Sequence, residues 1–235
     1  MTIKAIIWDL DGTLIQFKID YLRARREAIK VLKKFDAPKK ILTIKKSILE
    51  NALRAREYFT EKQIDAQKIE EIMSEVDKAV IKVEYDAALQ AIPMHGIREV
   101  LEYVKKQGLE QTVYTLNTRN NAQISLEKAD LSEYFDLIVG RDNVKNSKPH
   151  PDHLNAIFTQ LNVQPEESIV IGDTARDITG ALNVGAHSIA ILTKISKIGD
   201  EESLYKADKV VKEDDLPSKL LESIQSLIAL NRSQK

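Results

Sequence analysis

The pattern of apolar and polar positions changes character twice along the chain. Ile3-Lys4-Ala5-Ile6-Ile7-Trp8 is a short, partly β-branched apolar run that stops at Asp9-Leu10-Asp11-Gly12-Thr13, the pattern of a buried strand followed by a polar loop. From about Asp20 to about Ala91 there is no glycine and a single proline, Pro38, and apolar residues recur at helical spacing. Tyr21, Ala24, Ala28, Val31, Leu32 and Phe35 form one stripe. Ile41, Ile44, Ile48, Leu49 and Leu53 form a second, and Ile69, Ile72, Met73, Val76, Val80 and Val83 a third. Three or four amphipathic helices and no strand are expected here, with Asp20 as the first N-cap.

Beyond Pro93 and Gly96 strands and helices alternate. Helices are expected at Ile97–Lys106 (stopped by Gly108), Asn121–Ala129, Asp152–Leu161, Ala175–Val184 (closed by Gly185) and Leu216–Leu230. Strands are expected at Thr112–Leu116, Phe135–Val139, Ser168–Ile171, His187–Leu192 and near Lys209–Val211. Such alternation predicts a parallel sheet with helices on both faces. The fold class is therefore α/β, a Rossmann-like parallel-sheet core (1–16 and 92–235) carrying an inserted all-α helical bundle (17–91). The insertion is far longer than an ordinary loop. Ligands of open parallel sheets bind beyond the carboxyl ends of the strands. An insertion leaving that edge is expected to lie over the site as a lid.

Composition narrows the function. Lys and Arg number 35 against 36 Asp and Glu, a formal net charge of −1, which lacks the basic excess of nucleic-acid binders. There is no cysteine, so disulfides, thiolate nucleophiles and thiolate-held metals are excluded. No segment approaches the roughly 18 uninterrupted apolar residues of a membrane helix, and no secretory signal is expected, since Met1–Trp8 offers neither a long apolar stretch nor a cleavage site. A soluble, cytoplasmic protein, monomer or homodimer, is expected.

The polar clusters all fall at strand carboxyl ends. Asp9-Leu10-Asp11-Gly12-Thr13 follows the first strand, Thr115 ends the second, Lys148-Pro149 follows the third, and Gly172-Asp173-Thr174 follows the fourth. Three carboxylates converging there would repel one another and hold their protons. Mg²⁺ relieves that, since it prefers one or two carboxylates, water and a phosphate oxygen. Lys148, the Thr115 hydroxyl and backbone amides around Gly12 add donors for an anion. Such a site is built for phosphate. An aspartate in line with phosphorus can attack it, and a second aspartate two residues on can protonate the leaving oxygen and later activate water.

Ile7-Trp8-Asp9-Leu10-Asp11-Gly12-Thr13-Leu14 resembles the first signature of the haloacid dehalogenase superfamily. Thr115, Lys148-Pro149 and Gly172-Asp173-Thr174-Ala175-Arg176-Asp177 resemble its second, third and fourth signatures, in order. Pro93-Met94-His95-Gly96 resembles the re-entry from the cap, and the helical insertion resembles the cap of the phosphoglycolate-phosphatase-like branch. The resemblance implies that Asp9 is nucleophile and metal ligand, and Asp11 acid–base catalyst and ligand through its main-chain carbonyl. It implies that Thr115 and Lys148 hold the phosphoryl oxygens and Asp173 is the third protein ligand of Mg²⁺. Asp177, one helical turn further, is read as supporting the metal's ligands. The family often has Asn directly after the Ser/Thr of the second signature, whereas this chain reads Thr115-Leu116-Asn117-Thr118; Asn117 is kept as a phosphate-binding residue and Thr118 as the fallback hydroxyl.

The implied activity is Mg²⁺-dependent hydrolysis of a small phosphorylated metabolite through a phospho-aspartate. The family's dehalogenases lack the second aspartate, so Asp11 argues against that reaction. Its mutases often carry a small apolar residue where Thr13 stands, which favours hydrolysis over a phosphomutase. Phosphonate hydrolysis would need a lysine of the insertion as a Schiff base, and stays open. A receiver-like phospho-acceptor shares the Asp, Thr, Lys and Mg²⁺ set but is shorter and has no helical insertion. Trp8 reads as core, His95 as a residue near the hinge, His150 as loop geometry, and Arg23, Arg26, Arg54 and Arg56 as solvated charges.

Overall fold

A computed structural model describes residues 2–16, 18–194, 196 and 201–233. The chain divides into two compact units, Met1–Phe17 with Gln90–Lys235, and Lys18–Leu89. The expected insertion boundary at Phe17 lies outside the described residues.

The first unit is a six-stranded parallel sheet in the order β3-β2-β1-β4-β5-β6. Its strands are β1 (Ala5–Trp8), β2 (Glu110–Tyr114), β3 (Leu137–Val139), β4 (Ser168–Gly172), β5 (His187–Leu192) and β6 (Lys209–Lys212). β1 lies between β2 and β4, and all four of its residues are fully buried, as a central strand covered on both faces requires. Ile6 and Trp8 face one core with α4 (Ile97–Lys106), α5 (Arg119–Lys128) and α9 (Ser218–Ser233). Ala5 and Ile7 face the other, with α6 (Pro151–Leu161) and α7 (Ala175–Val184). Burial of each large β1 side chain contributes about 1.5–3 kcal/mol. The strand order reverses at β1, and the crevice there opens at the strands' carboxyl ends.

The α/β class with a parallel sheet agrees with the sequence reading, and α4, α7 and β5 match it residue for residue. β2 begins earlier than expected and ends before Thr115. β3 is shorter, because Ser132–Tyr134 forms a 3-10 turn whose cap is Phe135. α5 begins at Arg119, since the Thr118 hydroxyl caps it by accepting the Asn121 N–H at 3.3 Å. α9 begins after Pro217, and a short helix, α8 (Glu201–Leu204), was not foreseen. The chain departs from and returns to the sheet unit side by side. Gln16 N–H donates to Ile92 O at 2.9 Å and Met94 N–H to Leu14 O at 2.9 Å.

The second unit comprises α1 (Tyr21–Lys34), α2 (Ile48–Glu61) and α3 (Ala66–Ala88), with a 3-10 turn at Lys39–Ile41. Asp20 caps α1 as expected, accepting the Arg23 N–H at 2.8 Å. The α1 and α3 stripes are largely buried, Tyr21 apart. The α2 stripe is a correction: Ile44, Leu49 and Leu53 are exposed, while Asn51, Ala55 and Phe59 are buried. Asn51 explains the turned face. Its amide donates to Thr43 O (2.9 Å) and Ser47 O (2.8 Å) and accepts from Thr43 N (2.9 Å), so the helix rotates this polar side chain inward to satisfy the preceding loop.

Candidate active site

β1 ends one residue before Asp9, whose N–H continues the ladder by donating to Ile171 O at 2.8 Å. The buried Asp9 carboxylate is thereby fixed beside the end of β4, where Asp173 follows Gly172. Gly12, at φ +86°, is required twice over: its backbone is left-handed, and a Cβ there would collide with the Asp173 carboxylate. Asp9, Asp173 and Asp177 are all buried, and one carboxylate oxygen from each lies within 4.8 Å of the others.

Lys148 enters this cluster from the loop before α6. Its side chain is 2% exposed, and its Nζ donates to Asp9 Oδ1 and, at 2.7 Å, to Asp177 Oδ1. Burial works against the ammonium, but the Asp177 and Asp9 carboxylates outweigh it and hold its pKa above the ordinary lysine value. Three buried carboxylates face this one ammonium. Desolvation, offset in part by Lys148 and reinforced by Asp177, pushes Asp9 up to about 7. Desolvation together with the Asp9 and Asp177 charges pushes Asp173 up to about 8.

The oxygens divide the labour among the carboxylates. Asp177 is fully engaged by the protein: Oδ1 accepts from Lys148, and Oδ2 accepts from Thr174 N–H (3.0 Å) and the Thr174 hydroxyl (2.5 Å), closing a capping box at the start of α7. Asp173 Oδ2 accepts from the Thr193 hydroxyl at 3.1 Å, whereas its buried Oδ1 has no hydrogen-bond partner among the described residues. An orphaned, buried carboxylate oxygen amid surplus negative charge fits a hard cation.

Thr115 stands one residue past β2, 1% exposed, with its N–H donating to Val139 O at 3.2 Å. Its hydroxyl accepts the Asn117 N–H at 3.0 Å, and the Asn117 side-chain amide donates to Asp11 Oδ2. Asn117 thus lies beside Asp11 in spite of its offset position in the sequence. Asp11's carboxylate is not part of the buried acidic group. The strand ends therefore bring together Asp9, Lys148, Asp173 and Asp177, and place the Thr115–Asn117–Asp11 chain of contacts at the same edge.

Elsewhere, His150 is the N-cap of α6, accepting the Asp152 N–H at 3.2 Å. Arg23 and Arg56 pair with Asp86 and Glu70, and Arg54 donates to Ile41 O at 3.4 Å, all within the helical unit. Sequence reasoning passed over Thr193, although it follows β5 at the carboxyl edge and the rule applied to the other strands reaches it. It also passed over His153, which lies under the Lys148 loop.

A protein-family profile described as haloacid dehalogenase-like hydrolase matches residues 6–191. Pyrophosphatase PpaX of Bacillus mycoides (strain KBAB4) is 29% identical over 149 residues, which cover 63% of this chain and 67% of that protein. PpaX of Bacillus cereus (strain B4264) is 30% identical over 130 residues, 55% of this chain and 58% of that protein, so the match spans less than two thirds of this relative. Among solved structures, β-phosphoglucomutase from Clostridium difficile superposes with a TM-score of 0.66 at 22% identity, covering 98% of this chain and 99% of that one. CbbY from Rhodobacter sphaeroides in complex with phosphate gives a TM-score of 0.61 at 20% identity, with coverages of 89% and 93%. Those two likenesses speak for the fold. Since the profile runs from the first strand to the fifth and takes in Asp9, Asp11, Thr115, Lys148, Asp173 and Asp177, the chain belongs to the haloacid dehalogenase-like hydrolase family.

Proposed function

We propose that this hydrolase is an Mg²⁺-dependent phosphatase that cleaves a small phosphomonoester through a phospho-aspartate on Asp9. The observation that carries the reading is the buried ammonium of Lys148 between Asp9 and Asp177, beside the orphaned Asp173 Oδ1. In this reading Asp9, Asp173 and the Asp11 main-chain carbonyl hold Mg²⁺, with Asp177 restraining Lys148 behind them. The ion supplies positive charge that lets the crowded carboxylates stay ionised and that draws in a phosphate oxygen.

Asp9 attacks phosphorus with a carboxylate oxygen, and the bond to the leaving alcohol's oxygen breaks as Asp11 gives that oxygen a proton. Asp11, now a carboxylate steadied by the Asn117 amide, takes a proton from water. The water oxygen attacks phosphorus, the acyl phosphate bond breaks, and inorganic phosphate leaves with Asp9 restored. Thr115, Asn117 and Lys148 hold the phosphoryl oxygens through a hydroxyl, an amide and an ammonium group. The insertion, residues 17–91, is the cap of this reading and sets substrate choice. Pyrophosphate, named for the PpaX relatives, belongs in the first substrate panel beside sugar phosphates and phosphoglycolate.

The test is turnover of p-nitrophenyl phosphate and that panel, with Mg²⁺ and with EDTA, by the wild type and by Asp9→Asn. The variant keeps the shape and removes the nucleophile, so turnover is expected to fall by about three orders of magnitude or more while the fold persists. Activity within tenfold of wild type would sink the phospho-aspartate mechanism.

A further inference from the structure

His153, on α6, is wholly buried, yet both of its ring nitrogens are engaged by backbone groups of the site. Nδ1 accepts the backbone N–H of Lys148 at 3.2 Å, and Nε2 lies 2.9 Å from the carbonyl oxygen of Val139, the last residue of β3. An amide N–H can only donate and a carbonyl can only accept, so the proton sits on Nε2 and Nδ1 keeps its lone pair. The same Val139 oxygen accepts the N–H of Thr115 at 3.2 Å. One carbonyl therefore ties Thr115 directly, and Lys148 through the imidazole, to the end of a single strand.

A second contact set holds the lysine's far end. The Tyr114 ring lies under the ammonium, 4.1 Å from Nζ to the ring centroid, and meets the imidazole edge-on at 4.5 Å. Gly180 of α7 makes room for that ring, since a Cβ there would come 2.6 Å from the Tyr114 hydroxyl. An apolar side chain could fill the volume of His153 without the cost of burying a polar ring. Two backbone contacts to the site are what the imidazole adds.

We propose that His153 is a positioning residue for Lys148: as a neutral splint between Lys148 N–H and Val139 O, it sets the ammonium in register with Thr115. The inference rests on the phosphatase reading for what Lys148 does. Its neutrality follows from the surroundings, because burial, aided by the Lys148 charge, outweighs the Val139 contact and the Asp177 charge and lowers the imidazole pKa to about 4. A second proton would occupy Nδ1 and break the contact to Lys148.

Three variants test this. His153→Leu removes both contacts. His153→Asn restores an acceptor near the position of Nδ1, and His153→Gln carries its amide past that position toward Nε2. The readouts are kcat/KM on p-nitrophenyl phosphate with Mg²⁺, and the Kd of inorganic phosphate with Mg²⁺ from the fluorescence of the one tryptophan, Trp8, next to Asp9. Misplacement of a catalytic group by about 1 Å costs roughly 100-fold. His153→Leu, shown folded by circular dichroism, is therefore expected to lose about 10- to 100-fold in kcat/KM and to bind phosphate more weakly. His153→Asn should recover most of that loss, and His153→Gln little of it. If folded His153→Leu matches wild type in both readouts, His153 only fills space and the proposal falls. Should His153→Leu fail to fold, Asn and Gln variants of equal activity would overturn it just as well. A wild type that binds phosphate but hydrolyses no ester would sink the phosphatase reading alone, and the Asn-to-Gln ratio of phosphate Kd values would then decide this one. A wild type that binds no phosphate overturns both.

Discussion

Replacing Lys148 by Met isolates the electrostatics at the centre of the site. The apolar stem and much of the volume are kept, while the ammonium facing two carboxylates is removed. Its side chain is 2% exposed, and those of Asp9 and Asp177 are 10% and 0% exposed, so water cannot take its place at Asp177. Breaking a buried pair from one side costs about 3–5 kcal/mol. Loss of the ammonium over the Tyr114 ring adds about 0.5–2 kcal/mol. We therefore expect a loss of about 3.5–7 kcal/mol at pH 8 in EDTA. The loss must also depend on pH. Asp9 already titrates up at about 7 with Lys148 present, and without it the value rises further, because Lys148 lowers it more than the Leu10 backbone contact does. A carboxylate whose folded pKa lies above its unfolded value of 3.8 contributes stability that is complete below 3.8 and is lost as pH rises through the folded value. Below pH 7 Asp9 is largely protonated in both proteins, so the deficit narrows. Above it, the gap widens by at most about 1.4 kcal/mol per pH unit for this proton. Urea unfolding followed by Trp8 emission at pH 5.5, 7 and 8 reads the core unit directly. A variant within about 1 kcal/mol of wild type at pH 8, or a deficit equal at pH 5.5 and pH 8, would refute the reasoning.

Mg²⁺ at 100 times its pH 8 Kd should add about 2.7 kcal/mol of stability at pH 8, and the same Mg²⁺ concentration should add less at pH 5.5, where Asp9 and Asp173 hold protons. Asp173→Asn should abolish that gain, and a variant that still responds would remove Asp173 from the ligand set. Gly12→Ala forces a left-handed backbone and a collision with the Asp173 carboxylate; stability should fall by about 1–3 kcal/mol and kcat/KM by about 100-fold, checked by unfolding and by turnover. The acid limb belongs in part to His153, whose folded value of about 4 lies below the ordinary 6.5. Its contribution is therefore complete above pH 6.5 and lost as pH falls toward 4, to a ceiling of about 3 kcal/mol. The difference between wild type and His153→Leu isolates it, because the carboxylates cancel, and a difference flat between pH 7 and pH 4.5 would show that His153 does not titrate this way.

The sequence by itself determined the elements whose signals are local. β5 and α7 were legible to the residue because an apolar run and a capped, Gly-terminated helix each lie within a dozen positions. The α/β class followed from their alternation, and the acidic, hydroxyl and ammonium residues stood out because each follows a strand. What the sequence could not supply is which face an element turns and which partner a side chain meets. α2 carries an apolar stripe that the tertiary structure leaves exposed, because Asn51 must turn inward to satisfy the backbone of the preceding loop. Lys148 lies 139 residues from Asp9 and 29 from Asp177, and only the order of strands in the sheet puts its ammonium between them. The same holds for Thr193 on Asp173 and for His153 beneath Lys148. Local patterns select helix or strand through the backbone's own periodicity, whereas burial, charge balance and hydrogen-bond satisfaction at the strand ends arise only when distant segments share one edge.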